Sequence, residues 1–344
     1  MSHMTYLEAS VVGLIQGVTE LFPVSSLGHN VLIPALIGGS WASDLNVAAP
    51  ESPYLAFIVG LHVATAIAML IYFWRDWVRI IGGFFSSIRD REVATVDQKM
   101  AWMIILATIP VGVVGLAFEH EFRVLFGKPI RAAIFLLING VILYAGERLR
   151  TSKSLAADAE LAADSEPAAA RAVVADTVMA ETRAAPAAAT PGVAAHASGQ
   201  RALRQQEASR AVEADRRLVK AGYWQALIIG SAQILALLAG ISRDGVVMVT
   251  GMFRGMSRQD AARFSFLLST PVILAAGALK ISDLTGPLGY GIRGQVLVGS
   301  ILSGVGAYLS VRFLMRYFQT RTLTPFAIYC MVFGLGSIIY LSVK

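Results

Sequence analysis

Charge is what this chain has least of: 15% of its 344 residues are Asp, Glu, Lys or Arg, against about 25% in soluble domains. Hydrophobic side chains make up 56% and the mean hydropathy is +0.62, which excludes an ordinary water-soluble fold. Cysteine is nearly absent. Its one instance, Cys330, lies in the last apolar run, so neither an internal disulfide nor a cysteine metal cluster is available. Lysine and arginine are missing altogether from residues 1–74. With no basic stretch ahead of the first apolar run, no cleavable signal peptide is expected. The net charge of +6 is spread over loops without a basic stripe, so nucleic acid is not an expected partner.

What is present is a series of apolar runs, near 5–24, 28–39, 54–74, 101–118, 131–146, 223–241, 261–281, 294–311 and 325–343. Several approach the ~20 residues that cross the hydrocarbon, and none alternates with the two-residue period of a membrane barrel. The expected fold is an all-α integral membrane protein with about six full spans. The loop 75–100 carries Arg75, Arg79, Arg89, Arg91 and Lys99, so it is expected on the cytoplasmic side. Following the spans puts Arg148, Arg150, Arg216, Arg217 and Lys220 on that side too, while Arg123 and Lys128 dissent mildly.

From residue 223 the plan repeats upside down. Each half opens with two short apolar segments and continues with three full spans, which predicts an inverted-topology repeat with two re-entrant helical hairpins. A shift of 217 positions (230 minus 13) aligns Gly13 with Gly230, Gln16 with Gln233, Ser25 with Ser242 and Gly28 with Gly245. The same shift opposes Glu20 to Leu237 and Ser26 to Arg243, so the halves contribute different chemistry. Residues 151–220 differ in kind. Of these 70 residues 23 are alanine, with scattered charge and no sustained apolar face, which predicts a disordered or loose cytoplasmic linker. The chain thus divides into a first repeat at 1–148, an insertion at 149–220 and a second repeat at 221–344.

Two polar knots interrupt this apolar pattern. The first holds Gln16, Glu20, Pro23, Ser25, Ser26 and His29. A charged side chain at membrane depth costs roughly 2.5–3.5 kcal/mol, so Glu20 is a functional candidate by default. Gln16, one turn away on the same helix face, adds an amide oxygen. Together they suit Mg²⁺ or Ca²⁺ beside phosphate oxygens; the plainer alternative is a polar contact between helices. Pro23 breaks the first segment and a serine caps the next helix. Such an N-terminus attracts phosphate, and Ser26 with His29, three residues on, fits a nucleophile–imidazole pair. The plainer reading stops at the cap.

The second knot runs from Gly240 through Ser242, Arg243 and Asp244 to Gly245. A deeply placed Arg243 has no route to the interface, and its planar fork suits bidentate phosphate binding; a salt bridge to Asp244 is the alternative. Gly240 and Gly245 allow close approach of backbone to phosphate. His62 sits within a span, as a bundle hydrogen bond or a supporting group. His120 and His196 read as solvated or inert.

These residues resemble the undecaprenyl pyrophosphate phosphatase family, also described as bacitracin-resistance proteins. Its first signature stands here as Gln16-Gly-Val-Thr-Glu20, then Pro23-Val-Ser25-Ser26-Leu27-Gly28-His29. Its second stands as Ala239-Gly240-Ile-Ser242-Arg243-Asp244-Gly245-Val-Val247. Supporting likenesses are Ala107-Thr-Ile-Pro110 and the run from Ser257 to Leu268. Ala239, Asp244 and Val247 replace proline, serine and threonine of the family pattern, and Leu27 replaces a small polar residue. These departures bear on activity and substrate rather than on membership.

The resemblance implies hydrolysis of undecaprenyl pyrophosphate to the monophosphate. It places the enzyme in the bacterial plasma membrane, multi-pass, with an active site opening to the outer, periplasmic side. Carried over by position, Ser26 is the nucleophile, Glu20 the base or metal ligand, His29 an assisting group and Arg243 the diphosphate clamp. Ser25, Ser242, Gly240, Gly245, Gln16 and Asp244 support substrate binding, and Glu20 with Gln16 hold Mg²⁺ or Ca²⁺. The implied partners are a polyprenyl diphosphate and the bilayer, and a homodimer is compatible with this reading. The alternatives are an inverted-repeat lipid transporter or flippase, or a catalytically reduced relative that binds polyprenyl phosphates.

Overall fold

The structure is a computed structural model that describes residues 4–47, 53–118, 121, 128–172, 209, 211–280, 286 and 291–343, with side chains described only to residue 150 in the long helix that begins at Pro129. Every regular element among them is helical. In chain order they are α1 (Tyr6–Thr19), α2 (Ser26–Ile37), α3 (Gly39–Asp44), α4 (Pro53–Tyr72), α5 (Trp74–Asp90), α6 (Val96–Ala117) and α7 (Pro129–Ala172). The second part holds α8 (Tyr223–Ser231) with a 3₁₀ turn at Ala232–Leu237, then α9 (Arg243–Phe253), α10 (Arg258–Leu279), α11 (Arg293–Thr320) and α12 (Thr324–Val343). Among the described residues six stretches are long and apolar enough to cross a membrane: Pro53–Tyr72, Val96–Ala117, Pro129–Arg150, Arg258–Lys280, Arg293–Thr320 and Thr324–Val343. The chain forms a multi-pass membrane protein.

Two compact units emerge, one of Met1–Glu147 with Leu218–Lys344 and the other of Arg148–Arg217. The first contains every candidate residue of both knots. In the second, helix is described as far as Ala172 and again over 211–217. Residues 173–208 of the insertion expected to be disordered lie outside the described residues, as do His120 and His196.

Local sequence sets the helix starts. Thr5 caps α1 by accepting the Glu8 N–H, while the Glu8 carboxylate takes the Thr5 N–H at 2.7 Å; Thr95 and Gln98 repeat this capping box on α6. Ser25 and Ser242, matched by the internal shift, do the same work. Each hydroxyl accepts the N–H three residues on, from Gly28 at 3.2 Å and from Gly245 at 3.1 Å.

One expectation needs correcting. The stretch read as a loop from 75 is helical over Trp74–Asp90. Its arginines overlie a second period: Trp74, Val78, Ile81, Phe85 and Ile88, spaced by fours and threes, form an exposed apolar stripe. The opposite side of α5 is buried at Ile80, Gly83 and Ser87. Ion pairs join it to its neighbours, Arg79 to Asp97 on α6 at 2.8 Å and Asp76 to Arg263 on α10 at 2.7 Å.

The two parts of the chain exchange partners. The first helix of each hairpin packs on a span of the other part, α1 along α11 and α8 along α6. Both contacts rest on a missing side chain. A Cβ at Gly13 would stand 2.5 Å from the Gly299 carbonyl oxygen, and one at Gly230, its match by the shift, would clash with the Ala107 carbonyl oxygen. Gly13→Val and Gly230→Val should therefore each cost about 1–3 kcal/mol through overpacking. The measurement is the thermal unfolding midpoint in detergent, expected to fall in both variants.

Candidate functional site

The two knots meet at the tips of the hairpins. Between α1 and α2 the chain turns through Glu20–Ser25, with Pro23 lacking the N–H a continuing helix would use. Ser25 itself adopts φ 67°, in the left-handed region, which costs a non-glycine residue on the order of 1–3 kcal/mol. Its hydroxyl offsets that strain by accepting two backbone N–H groups, from Gly28 and, across the interface, from Gly240 at 3.2 Å. Gly240 also has a positive φ, 113°, and a Cβ there would collide with the Ala132 carbonyl oxygen and crowd the backbone nitrogen of Leu136 at 2.7 Å. Glycine meets both demands.

A residue that sequence reasoning passed over fastens the two turns together. Asn139, on α7 and buried, donates to the Pro23 carbonyl at 3.0 Å and accepts the Ser242 N–H at 2.9 Å. The signal was present: an amide inside the apolar run 131–146 needs a partner as much as a carboxylate does.

At the centre lies the Glu20 carboxylate. Oε1 faces Arg243 Nη2 at 2.6 Å. Oε2 accepts from the Ser26 hydroxyl at 2.5 Å, from Gln16 Nε2 at 2.8 Å, and faces His62 Nε2 at 3.2 Å. Gln16 turns its oxygen to Asn30 Nδ2 at 2.6 Å, so within this arrangement it supplies Glu20 with a donor. The Glu20 side chain is 4% exposed, against 16% for Arg243 and 26% for His62. The cluster is therefore most accessible from the side of Arg243 and His62.

Not every candidate joins this centre. His29 shares α2 with Ser26, but its ring points away from the Ser26 hydroxyl. Nδ1–H donates to the Ser25 carbonyl at 2.7 Å and Nε2 pairs with the Tyr329 hydroxyl at 2.7 Å, with Tyr329 and Phe333 of α12 stacked on the ring. Asp244 is turned the other way too. Its Oδ1 accepts from Ser265 and Ser269 of α10, each at 2.7 Å, so it neither pairs with Arg243 nor reaches Glu20. Ala239 and Val247 sit in the apolar core. The departures from the family pattern thus lie around the polar centre rather than within it.

Among the described residues no group of three or more His, Cys, Asp or Glu is gathered as a metal cage. Both Glu20 oxygens and the Gln16 oxygen are already engaged, so a divalent cation here would have to bring oxygen ligands of its own, from phosphate and water. Replacing Asn139 with leucine would leave the Ser242 N–H and the Pro23 carbonyl unpaired, at about 1–3 kcal/mol for each buried group. Unfolding of Asn139→Leu in detergent should start at a lower temperature than that of the wild type; an unchanged midpoint would remove the amide from this role.

The chain resembles known proteins along most of its length. The family model described as Bacitracin resistance protein BacA matches residues 9–174 and again 161–336. A protein of Mycolicibacterium paratuberculosis named undecaprenyl-diphosphatase is 55% identical over 343 residues, covering 100% of this chain and 99% of that protein. Undecaprenyl-diphosphatase 2 of Frankia alni is 52% identical over 339 residues, with 97% of each covered. Undecaprenyl-diphosphatase 2 of Burkholderia orbicola is 36% identical over 327 residues, covering 94% and 92%. With a matching family model and identity of this extent over its whole length, the chain belongs to the BacA family of bacitracin resistance proteins.

Proposed function

We propose that this protein hydrolyses undecaprenyl diphosphate to undecaprenyl phosphate and inorganic phosphate, returning the carrier lipid to cell-wall synthesis. The reading rests on one observation above the others: a serine hydroxyl, a carboxylate and a guanidinium share a single buried hydrogen-bonded cluster. The names of the relatives agree with it. The two hairpins would re-enter the plasma membrane from opposite sides, and their tips would enclose a polar cavity open to the periplasm.

In the proposed reaction Ser26 Oγ attacks the terminal phosphorus and its proton passes to Glu20 Oε2. The bond between that phosphorus and the bridging oxygen breaks, and undecaprenyl phosphate leaves with the electron pair. Water then cleaves the phosphoserine, returning the proton to Ser26 and releasing phosphate. Arg243 stabilises the charge spread over the phosphoryl oxygens. Backbone N–H groups at the start of α2 and α9 add to that field. His29 keeps Ser25, and so the turn, in its left-handed geometry. A divalent cation bound to Glu20 and the diphosphate would neutralise further phosphate charge.

Phosphate release from a polyprenyl diphosphate in detergent, with and without chelator, separates this reading from a lipid transporter or flippase. Ser26→Ala, Glu20→Gln and Arg243→Ala should each lose at least about 100-fold in turnover, the loss typical of removing a single transition-state donor. Wild-type turnover by Ser26→Ala would overturn the nucleophile. Asp244→Ser should bring no gain, because its side chain serves Ser265 and Ser269; a large gain would point to a catalytically reduced enzyme.

A further inference from the structure

His62 belongs to neither signature, and its span gives little hint of a role. Its setting is specific. Nδ1 lies 2.9 Å from the Ile58 carbonyl one turn back on α4, and Nε2 lies 3.2 Å from Glu20 Oε2. The carbonyl is an acceptor, so Nδ1 is a donor and the ring is held by that bond. So held, the ring sets Nε2 against the carboxylate.

Arg243 supplies the other half of the argument. Guanidinium and carboxylate favour a two-pronged fork in which both oxygens are taken. Here the pair is held to one prong, Nη2 on Oε1, while Arg243 Nε is buried and has no partner among the described residues. A rotation of the Glu20 carboxylate would complete the fork and draw Oε2 off Ser26. Three groups stand on Oε2 against that rotation: Ser26 and Gln16 by hydrogen bonds, and His62 by a close contact. Ser26 gives up its hydrogen bond as it attacks, and Gln16 shares α1 with Glu20. His62 is the contact that persists and that comes from another span.

We infer that His62 is a positioning residue that keeps Glu20 from being captured whole by Arg243, holding one carboxylate oxygen on the serine and leaving the arginine's second prong for the diphosphate. This rests on the proposal that Glu20 takes the Ser26 proton. His62 touches no reacting atom and acts through Glu20 alone. Its partly exposed ring, 26% accessible, puts it within reach of small molecules from solvent.

The test is steady-state phosphate release from a polyprenyl diphosphate by His62→Ala, His62→Gln, Glu20→Gln and the double variant Glu20→Gln/His62→Ala, with unfolding midpoints recorded for each. His62→Ala should lower kcat about 10- to 100-fold, the scale of a misplaced catalytic group, with a smaller change in KM. His62→Gln should recover much of the loss through its amide donor, and added imidazole should partly restore His62→Ala. In the Glu20→Gln background, removing His62 should have no further effect. Wild-type kcat in His62→Ala, beside an inactive Glu20→Gln, would overturn the inference and leave the role of Glu20 standing. Wild-type turnover in Glu20→Gln would overturn that role itself. Equal loss in His62→Ala and His62→Gln, with no imidazole rescue and a matching fall in the unfolding midpoint, would reduce His62 to packing and overturn the inference as well.

Discussion

A single carboxylate placed where water hardly reaches sets the terms for everything around it. Glu20 can remain there only if donors replace its hydration, and the fold brings them from four elements: Gln16 on α1, Ser26 on α2, His62 on α4 and Arg243 on α9. Arg243 arrives from more than two hundred positions downstream, so the second hairpin must be seated before the first is electrically balanced. The glycine contacts, the strained Ser25 and the Asn139 link are conditions for that seating.

Much of the centre was legible because burial makes ionisable groups conspicuous. Glu20 and Arg243 stand out from apolar surroundings, and the matched serines announce two helix starts. The six long spans and the paired short helices follow from run length alone. What could not be read were pairings across distance. Tyr329 lies 300 positions from His29, and nothing in either local sequence indicates that they meet. The spacing of Ser26 and His29 suggested a shared helix face, yet side-chain direction is settled by neighbours, here the aromatic rings of α12. Asn139 and His62 fall between these cases. Each is a lone polar residue in an apolar span, visible as an anomaly but silent about its partner. The amphipathic α5 was hidden for another reason, since its charge pattern and its apolar period tell different stories.

Asp244 shows how a substitution near a site can leave the site's hydrogen bonds alone. Beside Arg243 in sequence, it suggests a neutralised clamp. In space the first turn of α9 sends adjacent side chains in different directions, and Asp244 finds two hydroxyls on α10. A negative group in the first turn also sits favourably in the helix field. The replacement therefore joins α9 to α10 through Oδ1, and Arg243 remains directed at Glu20.

The exchange of partners between the two parts bears on how the molecule comes into being. When α1 leaves the ribosome, the surface it is shaped to fit, α11, is still almost three hundred residues from being made. Until then the face bearing Gly13 lacks its partner helix, and Glu20 lacks its arginine until α9 is made. Assembly of the centre is consequently a late event in biosynthesis, and a chain halted before α11 would carry Ser26 and Glu20 without the helix that α1 packs along.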